Sequence, residues 1–241
     1  MNYGKSNLSR RKKRISSKKR MKKKRVGVRL FKAFVLCILL LGIVGVAAGG
    51  VFVKHVIDNT PEVTAKDILP QGYTTSIVDQ NGTVLEQLKD SDSNRVYKKY
   101  DEISKYMGDA FVAIEDERFY KHNGIDLQGI IRAGVVGVTH GFHFTEGAST
   151  LTQQLIKNSM LTREKTWSRK IEEAFLSIEL ERRYTKDEIL EMYLNYNYFG
   201  AGAYGIEAAA QTYFGIPASE LTLDQGALLS GILKSSANYA P

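Results

Sequence analysis

An uncharged run of 21 residues, Ala33 to Val53, constrains this chain more than any other feature. As an α-helix it would be about 31 Å long, enough to cross the hydrocarbon core of a bilayer. A cleaved signal peptide is the alternative, because small residues occur at Ala47-Ala48-Gly49. The apolar run is longer than a typical signal core and the basic region before it is long, so the sequence favours an uncleaved transmembrane helix.

The charge of the chain is divided between two unlike regions. Residues 1–32 hold 15 Lys/Arg and no Asp or Glu, which leaves 19 of the 34 basic residues against all 26 acidic ones, a formal charge of −7. The positive-inside rule therefore predicts a cytoplasmic arm at 1–32, a transmembrane helix at 33–53 and an extracytoplasmic remainder. A nucleic-acid partner would need basic residues on the folded part, so we expect none.

The extracytoplasmic region has the size of one domain. About 180 residues follow the apolar run, enough to enclose a hydrophobic core. The only cysteine, Cys37, lies inside that run, so a disulfide framework cannot stabilise the domain. We predict a connecting stalk at 54–72 and a folded domain at 73–241. Residues 236–241 resemble the start of a linker, and we expect the chain to be a fragment of a longer protein.

The domain is predicted to contain one short β-hairpin and a series of helices. Two strand-like runs within 74–88 flank Asn81-Gly82, a pair that supplies the positive φ of a tight turn. Hydrophobic periodicity predicts helices near 102–121, 126–138, 149–160, 166–183, 186–197, 203–213 and 222–233. Capping boxes mark two helix starts, at Thr185 and at Thr222.

The stretch 134–148 is rich in glycine and apolar residues and has no strong periodicity. One interpretation is a mobile segment whose Phe142 and Phe144 rest on the membrane surface. The other is an ordinary loop with a few buried apolar residues. The residues themselves do not decide between the two.

A carboxylate among aromatic residues is the first candidate for chemistry. At 3.6 residues per turn, four residues lie within about 60° of Glu115 on one helix face: Phe111, Val112, Phe119 and His122. Burial in such surroundings disfavours the charged form of a carboxylate and makes it a better proton acceptor. A lone Glu there is more often a salt-bridged surface acid, but a second acid in a similar setting, Glu173, strengthens the catalytic interpretation.

Glu173 lies on an apolar stripe of the helix predicted at 166–183, one turn after Arg169. An exposed i,i+4 ion pair, worth a few tenths of a kcal/mol, would account for those two residues alone. It does not account for a positive cluster in an otherwise acidic domain, formed by Lys157, Lys165, Arg169 and Lys170. A cluster of that kind suits a phosphate or a pyrophosphate.

Hydroxyl and amide side chains precede this cluster at a predicted helix start, in the run Gly147-Ala148-Ser149-Thr150-Leu151-Thr152-Gln153-Gln154. Exposed N–H groups at a helix start also favour an anion, although a Ser/Thr run there is usually only a cap. A metal site of His140, His143 and Glu146 lacks the i,i+4 spacing of a helical zinc pair. No Gly-x-Ser-x-Gly motif occurs, so a serine hydrolase is not indicated.

Four ordered motifs resemble the signature blocks of the family 51 peptidoglycan glycosyltransferases, which occur in class A penicillin-binding proteins and in monofunctional relatives. The motifs are Glu115-Asp116-x-x-Phe119-x-x-His122-x-Gly124, Gly147-x-Ser149-Thr150-x-Thr152-Gln153-Gln154, Arg169-Lys170-x-x-Glu173 and Lys186-x-x-Ile189-Leu190-Glu191-x-Tyr193-Leu194-Asn195. The resemblance covers about residues 70–241. It implies a mainly α fold, with a lysozyme-like helical lobe and a small membrane-facing jaw that corresponds to 134–148.

The resemblance also implies a substrate and a reaction. The substrate would be lipid II, a disaccharide-pentapeptide on undecaprenyl pyrophosphate, polymerised with inversion into a β-1,4-linked glycan strand. Glu115 would be the general base, and Glu173 with the four cations would orient and neutralise the departing pyrophosphate, with a divalent cation such as Mg2+ or Mn2+ as an open question. Substrate-binding positions would be Asp116, Phe119, His122, Ser149, Thr150, Gln153, Gln154, Asn195 and Tyr198.

One residue departs from the family pattern. Lys165 stands where many relatives carry arginine, which keeps the charge but loses the bidentate fork. Function is expected to survive with weaker orientation of phosphate. The expected partners are the membrane, lipid II, the growing glycan strand and other proteins of cell-wall synthesis and division.

Two other functions stay open. A lysozyme-like glycan hydrolase or lytic enzyme also uses paired carboxylates in a helical lobe, but it needs an acid to protonate a sugar leaving group. Pyrophosphate instead leaves when cations stabilise it, and this chain supplies four. A non-catalytic membrane scaffold is the third possibility, and the presence of both glutamates disfavours it. In a bifunctional protein a penicillin-binding transpeptidase domain would follow Pro241.

Overall fold

The computed structural model describes residues 5–69, 75–81, 84–88, 95–140, 147–162 and 164–234. The chain divides into two compact units, Met1–Asp58 and Asn59–Pro241. The first contains one helix, α1 (Lys5–Asp58). Its segment Gly27–Asp58 is the only described helix that is long and apolar enough to cross a membrane, and it contains the predicted span.

The predicted β-hairpin is present at the start of the second unit. Strands β1 (Thr75–Val78) and β2 (Val84–Leu88) pair antiparallel. Ile77 lies opposite Glu86 and Val78 opposite Val84, so Leu85 is an extra residue that bulges the ladder. The turn is stabilised locally because the Asn81 N–H donates to the Asp79 carboxylate at 2.8 Å.

Most of the other described residues of the second unit are helical, which confirms the mainly α prediction. The helices are α2 (Ala65–Ile68), α3 (Lys105–Glu115), α4 (Leu127–Thr139), α5 (Leu151–Ser159), α6 (Trp167–Arg183), α7 (Lys186–Tyr196), α8 (Ile206–Phe214) and α9 (Leu223–Lys234). Short 3-10 turns occur at Tyr100–Glu102, Phe119–Lys121 and Ala218–Glu220.

Helix α7 lies at the centre of this lobe. Its buried residues are Ile189, Leu190, Met192, Tyr193, Leu194 and Asn195. Helix α5 packs against α6 and α7, and α3 packs against α9. The predicted capping box starts α7, because the Thr185 hydroxyl accepts from the Glu188 N–H while the Glu188 carboxylate accepts from the Thr185 N–H. Helix α7 is thus both buried and capped at its N-terminus, and its neighbours pack against it.

The continuous helix predicted at 102–121 is wrong. Helix α3 ends at Glu115, and Asp116 leaves the helical region with φ −157° and ψ 71°. The Asp116 carboxylate accepts hydrogen bonds from His122 and from the N–H of Leu151, and these contacts with another part of the chain take it out of the helix. Phe119 and His122 therefore do not share a helix face with Glu115.

The segment predicted as a stalk contributes to the core. Helix α1 runs to Asp58, and Val63 and Ile68 belong to the buried cluster of the lobe. Arg183 at the end of α6 donates to the carbonyl of Val63 at 3.0 Å. At least the part of this segment around α2 is therefore integral to the folded unit.

The stretch 134–148 is partly helical. Residues up to Thr139 complete α4, and Phe142 and Phe144 lie outside the described residues. Five apolar side chains of α4 are exposed: Leu127, Ile130, Ile131, Val135 and Val138. Within 134–139, an ordinary loop of buried apolar residues is therefore the wrong description.

Candidate active site

Glu115, the last residue of α3, lines a cleft of about 160 Å³ that we call the carboxylate cleft. Its walls are residues 113–118, Asp126, Gly129, Arg132 and residues 147–150. Arg118 and Asp126 form an ion pair at 2.5 Å across one wall. Burial pushes the pKa of Asp126 up, but hydrogen bonds from Arg118 and the Gly129 N–H outweigh it and hold the pKa below its usual range.

The Glu115 carboxylate is half-buried and is held by an amide. Gln154 Nε2 donates to Glu115 Oε2 at 2.8 Å. The hydroxyl of Tyr193, on the central helix α7, donates to Gln154 Oε1 at 3.3 Å. The aromatic pocket predicted from helix periodicity is thus replaced by a polar contact, which still leaves the carboxylate in a cleft where it can accept a proton.

The neighbouring carboxylate, Asp116, is buried and serves as an anchor. It accepts from His122 Nε2 at 2.9 Å and from the Leu151 N–H, the first of helix α5, at 2.9 Å. Thr150 caps the same helix and donates to the carbonyl of Gly124 at 2.7 Å. These contacts fix the start of α5. Gln154 lies in the first turn of this helix, so the same contacts place its side chain beside Glu115.

A second cleft, of about 400 Å³, is lined by positive and aromatic side chains, and we call it the cation cleft. Its lining residues are Arg95, Lys157, Asn158, Leu161, Thr162, Lys165, Arg169, Tyr196, Asn197, Tyr198 and Tyr204. None of these is acidic. Four cations around a cavity whose lining holds no acid favour an anion carrying more than one charge, such as a diphosphate.

Aromatic rings shape one wall of the cation cleft. Tyr198 and Tyr204 lie in the turn between α7 and α8 and contact each other with ring centroids 4.6 Å apart and ring planes tilted by 41°. The guanidinium of Arg95 lies 4.6 Å from the Tyr204 ring centre and 5.6 Å from that of Tyr196. Cation–π contacts with two aromatic rings restrict the position of a guanidinium, so the charge of Arg95 is held at this wall of the cleft.

The second predicted catalytic acid, Glu173, is enclosed. Only 1% of it is exposed, and it lines neither cleft. Its carboxylate accepts from Lys170 and, at 3.4 Å, from Arg169. The prediction that Glu173 lies in a setting similar to that of Glu115 is therefore wrong, because the apolar stripe that carries it packs into the lobe.

Glu173 nevertheless connects the two clefts. Arg169, which it holds on one side, lines the cation cleft. Lys170, which it holds on the other, donates to the Ser149 hydroxyl at 3.0 Å, and Ser149 lines the carboxylate cleft. A single buried carboxylate thus positions one cation toward each cleft.

Comparison with known proteins assigns the chain to a family, since a model described as Transglycosylase matches residues 81–241. The chain belongs to the transglycosylase family. Penicillin-binding protein 1A/1B of Bacillus subtilis (strain 168) is 43% identical to it over 227 residues, covering 94% of this chain and 24% of that protein. Penicillin-binding protein 1A of Escherichia coli (strain K12) is 41% identical over 217 residues, covering 89% of this chain and 24% of that protein.

A third relative, penicillin-binding protein 1A of Clostridium perfringens (strain 13 / Type A), is 40% identical over 214 residues, covering 88% of this chain and 31% of that protein. The chain thus spans about a quarter to a third of the length of these curated relatives. The transglycosylase match includes every residue that lines the two clefts described above.

Several residues predicted to bind substrate line a cleft of the transglycosylase domain. Asp116, Ser149 and Thr150 line the carboxylate cleft with Glu115. Tyr198 lines the cation cleft with three of the four predicted cations, Lys157, Lys165 and Arg169. Gln154 lines neither of the two clefts, and it reaches the first through its bond to Glu115. Lys170 likewise reaches it through Ser149.

Other residues predicted to bind substrate line neither of the two clefts and make contacts within the fold. Phe119 is fully buried in the core, and the Gln153 side chain caps α5 by accepting from the Thr150 N–H at 3.1 Å. Asn195 is buried and bonds both the N–H and the carbonyl of Lys98. His122 lines a separate cleft of about 310 Å³. Each of these motif residues holds the chain in place, which a motif alone cannot distinguish from binding.

Sequence reasoning missed several lining residues of the cation cleft. Arg95 stands alone in a polar stretch, and no local pattern marks it. Tyr204 precedes Gly205, whose φ of +82° and close approach to the carbonyl oxygen of Asn195 are visible only in the structure. The Thr150-x-x-Gln153 spacing also fits a capping box and would have explained Gln153.

A divalent metal ion in this domain would need several oxygen or nitrogen ligands close together. Among the described residues no group of three or more His, Cys, Asp or Glu side chains could hold one. The cation cleft has no carboxylate in its lining, and Glu173 is already bound to two cations. Mg2+ prefers carboxylate and phosphate oxygens, so this set does not fit it. His143 and Glu146 lie outside the described residues, and His140 bonds the carbonyl of Val136.

Proposed function

We propose that this chain is a peptidoglycan glycosyltransferase that polymerises lipid II into a β-1,4-linked glycan strand and releases undecaprenyl pyrophosphate. The observation that carries the proposal is the placement of a proton acceptor beside an acid-free cation cleft. Gln154, which binds Glu115, and Lys157, which lines the cation cleft, are one turn apart on α5. Three residues of helix rise about 4.5 Å along the axis.

Glu115 is the proposed general base. It takes the proton from the 4-hydroxyl of the acceptor sugar while that oxygen attacks the anomeric carbon of the donor. The bond between this carbon and the pyrophosphate oxygen breaks on the opposite face, and its electron pair leaves with the pyrophosphate. Attack from the opposite face inverts the anomeric carbon and gives the β-1,4 link.

The cation cleft is the proposed site of the pyrophosphate. Negative charge builds on the leaving oxygen as its bond breaks, and preorganised cations stabilise that charge without reorganising. Arg169 supports this role, because its Nε is buried and has no hydrogen-bond partner among the described residues. Buried donors of this kind are normally satisfied, and a phosphate oxygen would satisfy it.

A glycan hydrolase is disfavoured by the state of Glu173. Cleaving a sugar–sugar bond needs a carboxylic acid that protonates the leaving oxygen, set across the bond from the second carboxylate. Glu173 is 1% exposed and accepts hydrogen bonds from two cations, so it is poorly placed to donate a proton. No step here passes through Mg2+ or Mn2+, and addition of a chelator in the assay below tests whether either ion contributes.

The proposed location is the bacterial cell membrane, with a single span, a cytoplasmic N-terminus and an extracytoplasmic catalytic domain. Helix α1 supplies the anchor, and the 15 basic residues before its apolar part favour this orientation. The exposed apolar residues of α4 suit contact with the membrane that holds lipid II. The growing glycan strand and other cell-wall synthesis and division proteins are further proposed partners.

Labelled lipid II incubated with the 241-residue chain in detergent tests the proposal. The expected result is a glycan polymer together with released undecaprenyl pyrophosphate. Glu115→Gln should abolish polymer formation, while Glu220→Gln, an exposed acid outside both clefts, should keep it. Unchanged lipid II together with shortening of preformed glycan would overturn the proposal in favour of a hydrolase.

A further inference from the structure

A chain of two hydrogen bonds connects the proposed base to the core of the lobe. The Tyr193 hydroxyl donates to Gln154 Oε1, and Gln154 Nε2 donates to Glu115 Oε2. The three side chains belong to α7, α5 and α3. No hydrogen bond to the other oxygen of Glu115, Oε1, occurs among the described residues.

The direction of this chain follows from the chemistry of its ends. An ionised carboxylate only accepts hydrogen bonds, so the NH2 group of Gln154 must face Glu115 and its carbonyl must face Tyr193. Burial raises the pKa of the Tyr193 hydroxyl well above its usual value, and the nearby charges of Glu115 and Asp116 raise it further. The phenol therefore stays protonated and acts as a donor.

Tyr193 is held rigidly where it makes this bond. It is fully buried, and its ring meets that of Phe111 edge to face, with centroids 6.1 Å apart and planes at 68°. Phe111 lies on α3, one turn before Glu115. The ring contact and the hydrogen-bond chain thus join the same helices at two points, which fixes the distance between Tyr193 and the base.

We propose that Tyr193 is a positioning residue that, through Gln154, reserves Oε2 of Glu115 and directs the proton of the acceptor hydroxyl to Oε1. If the amide turned over, its carbonyl would face the carboxylate and the two oxygens would repel each other. With the amide fixed, only Oε1 can form the new O–H bond as the acceptor oxygen loses its proton. This inference rests on the proposed function.

Tyr193→Phe removes the donor and keeps the ring. We expect kcat for lipid II polymerisation to fall roughly 2- to 10-fold, the worth of one hydrogen bond, with KM unchanged. A freely turning amide donates less to the ionised carboxylate, which then holds a proton more readily. The acid limb of the pH–rate profile should therefore move to higher pH than in the parent.

Tyr213→Phe is the matched control. It also deletes a half-buried tyrosine hydrogen bond, from the hydroxyl to the carbonyl of Phe199 at 2.8 Å, and it lines neither cleft. Its kcat and pH profile should match the parent. The other charged side chains of the carboxylate cleft are unchanged in both variants: Asp116, Glu117, Arg118, Asp126 and Arg132. A shift of the pH profile seen only in Tyr193→Phe therefore belongs to the hydrogen-bond chain from Tyr193 to Glu115.

Gln154→Met is the second variant and keeps the test decisive if Tyr193→Phe fails to fold. It removes the bond to a charged group, so kcat should fall about 10- to 100-fold with the same direction of pH shift. A folded Tyr193→Phe or Gln154→Met with parental kcat and acid limb would overturn the inference. A parent chain that makes no polymer would instead overturn the proposed function, so the two failures are distinguishable.

Discussion

The carboxylate cleft is lined by α3, α4 and the residues just before α5, whereas helical residues of the cation cleft come from the ends of α5 and α7 and the start of α6. The two clefts also hold their charges differently. In the first, acids and bases are paired, as Arg118 and Asp126 are, and the Glu115 carboxylate is bound by a neutral amide. In the second, four cations line the cavity without an acid among them. The first cleft is suited to moving a proton, and the second to receiving an anion.

The three carboxylates around these clefts also differ in how many of their oxygens are already hydrogen-bonded. Asp116 and Glu173 have their oxygens occupied, the one by a helix start and a histidine, the other by two cations. Glu115 is half-buried and keeps one oxygen without a hydrogen bond to any described residue. Adjacent positions in the same motif therefore divide into one residue suited to chemistry and one that builds the site.

The largest expected effect is that of Glu115→Gln in the carboxylate cleft. Loss of a general base typically costs about 10²- to 10⁴-fold in rate, so kcat for lipid II polymerisation should fall by that factor. The amide is nearly isosteric, and the unfolding midpoint in urea should stay near that of the parent. A variant with parental kcat would break the comparison, because the first cleft would then have no proton acceptor.

Arg169→Met tests the cation cleft. A hydrogen bond to a charged group is worth about 1.5 to 3 kcal/mol, which corresponds to a loss of roughly 10- to 100-fold in kcat/KM. Arg182→Met is the matched control, since that arginine is on the same helix and is largely exposed. If both variants lose activity equally, the cleft has no special role and only net charge matters.

Asp116→Ala separates structure from chemistry within one motif. It leaves the Leu151 N–H and His122 without their acceptor, which should cost about 1 to 3 kcal/mol in the free energy of unfolding. Urea denaturation measures that loss. An Asp116→Ala protein as stable as the parent would contradict the anchoring role assigned here.

Arg95→Lys should have a smaller effect on the cation cleft. The charge is kept, but the planar stack on Tyr204 and Tyr196 is lost, and such a contact is worth about 0.5 to 1 kcal/mol. We expect kcat/KM to fall roughly 2- to 5-fold. Arg95→Met should lower it further. A parental value for Arg95→Lys would show that the stacking geometry does not matter, and equal losses in the two variants would show that the charge of Arg95 does not matter.

The smallest effect is a pH dependence of stability from Asp126. Its folded pKa is below the unfolded value, so its contribution is present above about pH 4 and is lost as the pH falls through the folded value. Asp126→Asn should therefore be less stable than the parent at pH 7, with a difference that shrinks at pH 3. Thermal melts of both proteins at the two pH values measure this, and a constant difference would speak against an ionised Asp126 as its source.

Much of the fold could be predicted from the sequence because it depends on neighbours a few residues apart. The apolar run 33–53, the hairpin at Asn81-Gly82 and the cap at Thr185 are all local patterns. Three of the four predicted cations line one cleft, because Lys157 is on α5, Lys165 just precedes α6 and Arg169 is in its first turn. The order of the motifs identified the family without any coordinates.

Tertiary structure alone decided which motif residues face a cleft. It ended α3 at Glu115, buried Glu173 between two cations, and brought Arg95 to a cleft built largely from residues after position 156. The deciding contacts join distant residues, such as Glu115 with Gln154, 39 positions apart, and Lys98 with Asn195, 97 positions apart. Periodicity describes what a residue prefers beside its sequence neighbours, whereas a buried polar group is placed by the partner that satisfies it, and that partner is chosen by packing.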